Sequence, residues 1–423
     1  MKAAATGGAF DAESFRRQFP ALQRKVSGKR LVYLDNACTA LKSRAVAQAA
    51  ARFYEETGAC GGKRSTHLLA QQVESSVQLA REAARRFLNA ESVNEIVFTS
   101  GVTDAANLIA RAFPYESGRR EVVITDLEHN AVFLPFYEAA KRGEIDLSLC
   151  RTERGQLATE AIKPLISDRT ALVCVTHASN VAGGVVALDQ IVRHAHAKGA
   201  RVFVDDAQFL SSHREDVQAL QADFVAFSAH KLGGPFGLGV LFGKEQELNR
   251  LRHYKLGGGV VKSVRWNGNG LPEVEYLDAP MRLEPGVANF AAFPAFVEAI
   301  ALLESLPAAS LRAHVGGLAA RLAKRLEGVP AISVVGAAHE EGSLVSFSVK
   351  NDEFSIPDFN LFLNHELDGR FIAVCAGEHC AHLLHQSLGL DATVRASFFA
   401  YNTAEEADVF ADAVESYARE AVA

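Results

Sequence analysis

From residue 92 onward, short apolar runs alternate with stretches of helical spacing, and this alternation confines the chain to strands joined by crossover helices around a parallel sheet. Glu95 to Thr99, Glu121 to Thr125, Ala171 to Thr176, Arg201 to Asp205 and Phe224 to Ser228 are rich in β-branched or aromatic residues and read as strands. Between the third and fourth, Leu188, Ile191, Val192 and Ala195 share one helical face and Gly199 stands where a helix stops, completing one strand–helix–strand unit. The Gly-rich stretch Gly257 to Pro285 breaks the alternation and reads as a seam between domains. A long helix is expected from about Asn289 to Leu306, then further helix, strands at Ile332 to Val335, Leu344 to Val349, Phe371 to Val374 and Thr393 to Ser397, a helix around Pro357 to His365 and a last one from Ala404. The expected fold class is α/β, with a mainly parallel large domain over residues 31–289. Residues 1–30 and 290–423 are expected to form a smaller α+β domain with an antiparallel sheet.

The 423 residues are 48% hydrophobic and 22% charged, an ordinary globular balance with length for a large core. Basic residues number 44 against 50 acidic, a net charge of −6 without any basic block, so nucleic acid and anionic membrane surfaces are not expected partners. Apolar runs are broken by charge before the ~18 residues a membrane span needs, and the first ten or so residues lack a basic-then-apolar leader, which points to a cytoplasmic protein. Cysteines at 38, 60, 150, 174, 375 and 380 are too scattered to be a disulfide framework, so any special thiol chemistry is local.

Ser228 to Gly239, SAHKLGGPFGLG, places a lysine after a strand and before glycines, where backbone and ligand can approach closely. Lys231 there suits a Schiff base, with Ser228 and His230 as phosphate donors; a solvated lysine in a Gly-rich turn is the bland alternative. Upstream, VDDAQ at Val204 to Gln208 ends an apolar strand with two carboxylates at the sheet rim where ligands bind, one of which can pair with a protonated pyridine nitrogen or simply cap a turn. SGVTDAAN at Ser100 to Asn107 opens a helix with Thr103 and Asp104, a phosphate seat or a plain cap. His129, beyond the strand ending at Thr125, can stack on a flat ring or be structural.

These segments join LDNACTA at Leu34 to Ala40, EHNAVFLPF at Glu128 to Phe136, HASNVAGG at His177 to Gly184, the glycines Gly257 to Gly259, GEHCA at Gly377 to Ala381 and RASFFAYNT at Arg395 to Thr403 in one ordered series. The series resembles the class V aminotransferase family of fold-type I pyridoxal-phosphate enzymes, and within it the SufS-like branch of cysteine desulfurases and selenocysteine lyases. The resemblance implies that Lys231 bonds pyridoxal phosphate, Asp205 pairs with its ring nitrogen, Gln208 reaches its hydroxyl, and Thr103, Ser228 and His230 hold the phosphate. It implies further that His129 stacks on the ring and moves protons, Asn180 touches cofactor or substrate, and Arg395 clamps a substrate carboxylate. Cys380 matches the family's nucleophile, which would attack the sulfur of an amino-acid substrate and carry a persulfide while alanine leaves. A homodimer sharing its active sites, and a protein acceptor for the sulfur, are implied with it.

The chain also departs from that pattern. Cys375 and Glu378 replace a usual arginine and histidine, which removes positive charge near Cys380 and adds negative charge, and Val287 replaces a phosphate-contacting threonine given by the partner subunit. Cys38 stands where alanine is usual and Cys60 falls in a loop expected to approach across the dimer. Cys38, Cys60, Cys375 and Cys380 are therefore a candidate set for an iron–sulfur cluster or a metal, for a thiol relay, or for ordinary small packing residues. The alternatives to a desulfurase are a β-eliminating C–S lyase on cysteine conjugates, and a non-catalytic thiol or Fe–S sensor on the same fold.

Overall fold

The central sheet has seven strands: β1 Ile96–Thr99, β2 Glu121–Thr125, β3 Asp146–Cys150, β4 Thr170–Thr176, β5 Arg201–Asp205, β6 Phe224–Ser228 and β7 Gly239–Gly243, in the order β1-β7-β6-β5-β4-β2-β3. They belong to a computed structural model that describes residues 10–61, 65–337, 339–350 and 353–422. Strands β2 to β6 pair in parallel, and β7 runs antiparallel between β6 and β1. Strands β4 and β6 are buried along their whole length because helices cover both faces. Alternate side chains feed two cores: Val173, Val175, Val202 and Val204 enter one, Leu172, Cys174 and Phe203 the other. Cys150 and Cys174 are thereby small buried core residues.

The five strands read from the sequence are present at their expected positions, and two more were not anticipated. Edge strand β3 is half polar and pairs with β2 alone, so it carries no continuous apolar signal. Strand β7 was hidden in the Gly-rich motif, where Gly239 is its first residue. The Gly257 to Pro285 seam contains an exposed antiparallel hairpin, Val261–Arg265 with Glu273–Tyr276.

Beyond the seam, helix Ala292–Glu304 packs its Phe293 against Phe98 and its Phe296 against Phe227 of the main sheet, then helix Ala308–Leu326 follows. Ile332–Val335, Leu344–Val349, Thr393–Ser397 and Cys375–Gly377 form a four-stranded sheet, antiparallel throughout. Arg370–Ala373 leaves that sheet and pairs in parallel with Lys29–Tyr33, so the N-terminal arm straddles residue 31. Arg16 and Glu406 form a buried ion pair at 2.8 Å that ties this arm to the last helix. Among the described residues no single helix is long and apolar enough to cross a membrane; Ala292–Glu304 and Ala308–Leu326, apolar when taken together, meet at 86°.

Candidate active site

The carboxyl ends of β4, β5 and β6 meet at one rim, and a cavity of about 290 Å³ opens there against the small domain. Lys231 rises from the short helical turn Ala229–Leu232 that follows β6, and Gly233 ends the turn at φ 74, a left-handed conformation natural to glycine. Burial pushes the Lys231 amine below the ordinary lysine value, and the Asp205 carboxylate opposes that shift. Asp205 ends β5 fully enclosed; one of its oxygens accepts the Ala207 N–H at 2.9 Å, and burial raises its carboxyl while Lys231 opposes. Buried Asp205 and half-buried Lys231 are thus groups of opposite charge lining one cavity.

The second wall is a helix start. Helix Val102–Ala112 begins after Gly101, and its Val102 N–H donates to Ser228 Oγ at 3.0 Å, which joins the helix to the end of β6. Thr103 lies in the first turn, at the positive end of the helix dipole, which favours an anion. A Cβ on Gly239 would lie 2.5 Å from Gly101 Cα, so this crossing excludes any side chain. His230 lies beside it; burial, Lys231 and Lys42 push its ring down to about 4, and its buried Nδ1 has no partner.

His129 caps helix Asn130–Lys141, its Nδ1 accepting the Ala131 N–H at 3.0 Å. Burial, reinforced by Lys231 and Arg395, lowers it to about 4, so the ring is neutral and its proton resides on Nε2. Gln208 donates to Ala37 O at 3.0 Å and fixes the LDNACTA turn.

The third wall comes from the small domain. Arg395 donates from Nη1 to Asn180 O at 2.9 Å, its Nη2 is 3.6 Å from Asp35 Oδ1, and its buried Nε is unpartnered. Asn180 Nδ2 donates to His379 O at 2.8 Å, and Asn130 N donates to Cys380 O at 2.7 Å. Two large-domain groups therefore hold consecutive carbonyls of the loop that presents Cys380. His379 and Cys380 both sit in left-handed backbone, at φ 50 and 54, which costs about 1–2 kcal/mol per non-glycine residue.

Lys231, Asp205, Gln208, Thr103, Ser228, His230, His129, Asn180, Arg395 and Cys380 all line this cavity, as expected from the sequence. A family model described as Aminotransferase class-V matches residues 32–410, a span that holds all of them. The chain belongs to the class V aminotransferase family. It is 36% identical over 412 residues to a probable cysteine desulfurase of Mycobacterium leprae, covering 97% of this chain and 66% of that relative's length. A probable cysteine desulfurase of Streptomyces coelicolor is 35% identical over 418 residues, covering 96% of this chain and 97% of that one. The crystal structure of the cysteine desulfurase CsdA of Escherichia coli, in an S-sulfonic acid form, matches with a TM-score of 0.86 at 31% identity, over 98% of this chain and all of its own.

Pyridoxal phosphate is the cofactor that this class V membership implies, and the cavity fits it: an unpartnered buried His230 Nδ1 and a helix start suit a phosphate, and a lysine with a buried carboxylate in the same cavity suits an aldehyde-bearing pyridine ring. The electrostatic departures read from the sequence are softened. Cys375 faces Arg395 across the strand pair, and Glu378 turns its carboxylate to His382 Nε2 at 3.1 Å. Cys38 and Cys375 also line the cavity; burial pushes both thiols up, Arg395 opposing in each case. The expected four-thiol set does not assemble in one chain. Cys60 lies exposed and off the cavity, and among the described residues no three cysteine sulfurs come within 4.8 Å of one another. Two residues beside the substrate region were overlooked, Asp35 against Arg395 and His379 next to Cys380, although both lie in motifs that carry the resemblance.

Proposed function

We propose that this chain is a pyridoxal-phosphate-dependent cysteine desulfurase, which breaks the carbon–sulfur bond of L-cysteine, leaves the sulfur on Cys380 as a persulfide and releases alanine. The observation that carries this reading is one cavity in which an exposed thiol, Cys380, shares space with Lys231, the buried Asp205 and Arg395. The names of the relatives from Mycobacterium leprae and Streptomyces coelicolor agree with it.

Arg395, planar and permanently charged, grips the substrate carboxylate with the donors it does not give to Asn180. Thr103, Ser228, His230 and the first turn of helix Val102–Ala112 would hold the cofactor phosphate, and Gln208 would serve the ring hydroxyl, Asp205 the ring nitrogen and neutral His129 the ring face. When bound, pyridoxal phosphate supplies an electron sink for the charge left at Cα. Lys231, with its amine lowered by burial, takes the Cα proton as a base. Cys380 then attacks the substrate sulfur as a thiolate: an S–S bond forms, the Cβ–S bond breaks with its electron pair left on the carbon side, Cβ gains a proton to become the methyl of alanine, and Lys231 returns a proton to Cα. Asn180 and Asn130 hold the Cys380 loop toward that sulfur.

The same reading carries a homodimer, a protein acceptor for the persulfide sulfur and a cytoplasmic setting. Exposed apolar residues at Tyr54, Leu68, Trp266, Leu271 and Val287, on the hairpin and the segments near Cys60, support a covering second copy. The test is Cys380→Ala: persulfide and alanine formation should be lost while the cofactor stays bound. Unchanged sulfur transfer would count against the reading. Pyruvate and ammonia as products would install the β-eliminating lyase, and no cofactor binding would revive the sensor.

A further inference from the structure

Beside the carboxyl ends of β4 and β5, a separate cavity of about 390 Å³ is bordered by His177, Phe209, His213, Glu215 and Arg312. His177 directly follows β4 and Asp206 directly follows β5, while Glu215 comes from the loop before helix Val217–Leu220. His177 Nδ1 is 2.9 Å from Asp206 Oδ1 and also 2.9 Å from Glu215 Oε2. All three residues are buried, and their ligand-capable atoms lie within 4.8 Å of one another, the single such convergence of histidine, cysteine and carboxylate groups among the described residues.

The cluster sets one imidazole nitrogen against two carboxylates. Nδ1 bears at most one hydrogen, which is directed to Asp206 Oδ1. Glu215 Oε2, at equal distance, receives no hydrogen bond, and neither does Asp206 Oδ2; both atoms are enclosed. Glu215 Oε1 is already satisfied by the Asp216 N–H at 2.9 Å, so the carboxylate is turned with its free oxygen toward the histidine. Two buried carboxylates facing one imidazole nitrogen call for either a shared proton or a cation.

The geometry accommodates a cation. Two ligand atoms in adjacent positions of a six-coordinate ion, each about 2.1 Å from it, stand about 2.9 Å apart, the spacing seen on both sides of His177 Nδ1. The imidazole is already oriented: its ring stacks on Phe209 with centroids 3.5 Å apart, and Phe209 stacks on His213 at 4.5 Å. The adjoining cavity leaves room for water to complete the coordination. We propose that His177, Asp206 and Glu215 bind a divalent cation of mixed nitrogen and oxygen preference, manganese or zinc, at a site distinct from the cofactor cavity. Such an ion ties the ends of β4 and β5 to the loop carrying Glu215, one residue behind Asp205.

Manganese is the probe of choice, because it has little affinity for the thiols of the other cavity. Cofactor-loaded protein, stripped with chelator and dialysed, is titrated with Mn²⁺ while the free-ion electron paramagnetic resonance signal is followed. The expected result is one ion per chain, with a histidine nitrogen coupled to it in spin-echo spectra, and affinity weakened at least tenfold in Glu215→Gln and in Asp206→Asn. Absence of binding by both Mn²⁺ and Zn²⁺, a bound ion without nitrogen coupling, or unchanged affinity in folded variants would each overturn the proposal. The nitrogen coupling is read on the unaltered chain and therefore decides the matter even where a variant does not fold.

Discussion

Replacing Gly239 by alanine tests how the sheet builds the phosphate end of the cavity. A Cβ at this position would lie 2.5 Å from Gly101 Cα, 2.8 Å from Gly101 N and 2.8 Å from Phe227 O, all backbone atoms that no side-chain rotation can move. Carbon atoms rest about 3.5–4.0 Å apart, so β7 must shift from β1 and β6 by about 1 Å. Overpacking of this kind costs about 1–3 kcal/mol. The shift also strains the Val102 N–H to Ser228 Oγ bond, 3.0 Å long, whose loss adds about 1 kcal/mol. The expected destabilisation is about 2–4 kcal/mol by urea unfolding of the cofactor-free protein, with pyridoxal-phosphate affinity lowered about tenfold or more, since 1.4 kcal/mol is a factor of ten. Gly258→Ala is the control: nothing lies within 4 Å of its Cβ, and its effect should stay within about 0.5 kcal/mol. If Gly239→Ala unfolds at the same urea concentration as the parent and binds cofactor equally well, the crossing does not set the phosphate end and the reasoning is wrong.

Asp205→Asn removes the charge that opposes burial at Lys231, so the amine should fall further and turnover should drop by roughly two orders of magnitude, read from alanine release. Asn180→Ala frees His379 O and should let the strained Cys380 loop open, giving faster alkylation of Cys380 by iodoacetamide and a stability loss of about 1 kcal/mol. His129 and His230 are held near 4 in the fold and return to about 6.5 when unfolded, so the unfolded chain binds more protons between those values. The share of stability due to these two rings is therefore full above about pH 6.5 and is lost as pH drops toward 4, so His230→Asn should lose less stability than the parent over that range; urea titrations in which the two chains change equally would contradict the assignment.

Much of the cavity was legible because its residues sit where strands end. Lys231, Asp205 and Ser228 each close or follow a β-rich run, so their shared rim followed once the sheet was read. Arg395 and Cys380 were legible through the likeness of their motifs, since nothing local marks them: Arg395 reaches the rim only through the small sheet, 215 residues from its partner Asn180. Strand β3 escaped because its outer edge faces no further strand and half its residues are polar. The His177, Asp206 and Glu215 cluster escaped because Asp206 looks like a duplicate of Asp205; only the pleat, which turns neighbours to opposite faces, separates the two. Cys38, Cys375 and Cys380 line the cavity within one chain, whereas Cys60, which the resemblance brings to the site across a dimer, lies off it in its own chain.

The central claim is that Cys380 receives sulfur taken from L-cysteine in the Lys231 cavity. The most direct measurement gives anaerobically purified, cofactor-loaded protein L-cysteine, quantifies the organic product, and maps the modified residue by peptide mass spectrometry. The account predicts alanine in step with sulfide when reductant is present, and one added sulfur atom on the Cys380 peptide when it is absent. Pyruvate with ammonia, or alanine with the added sulfur on Cys38 or Cys375 alone, would contradict it.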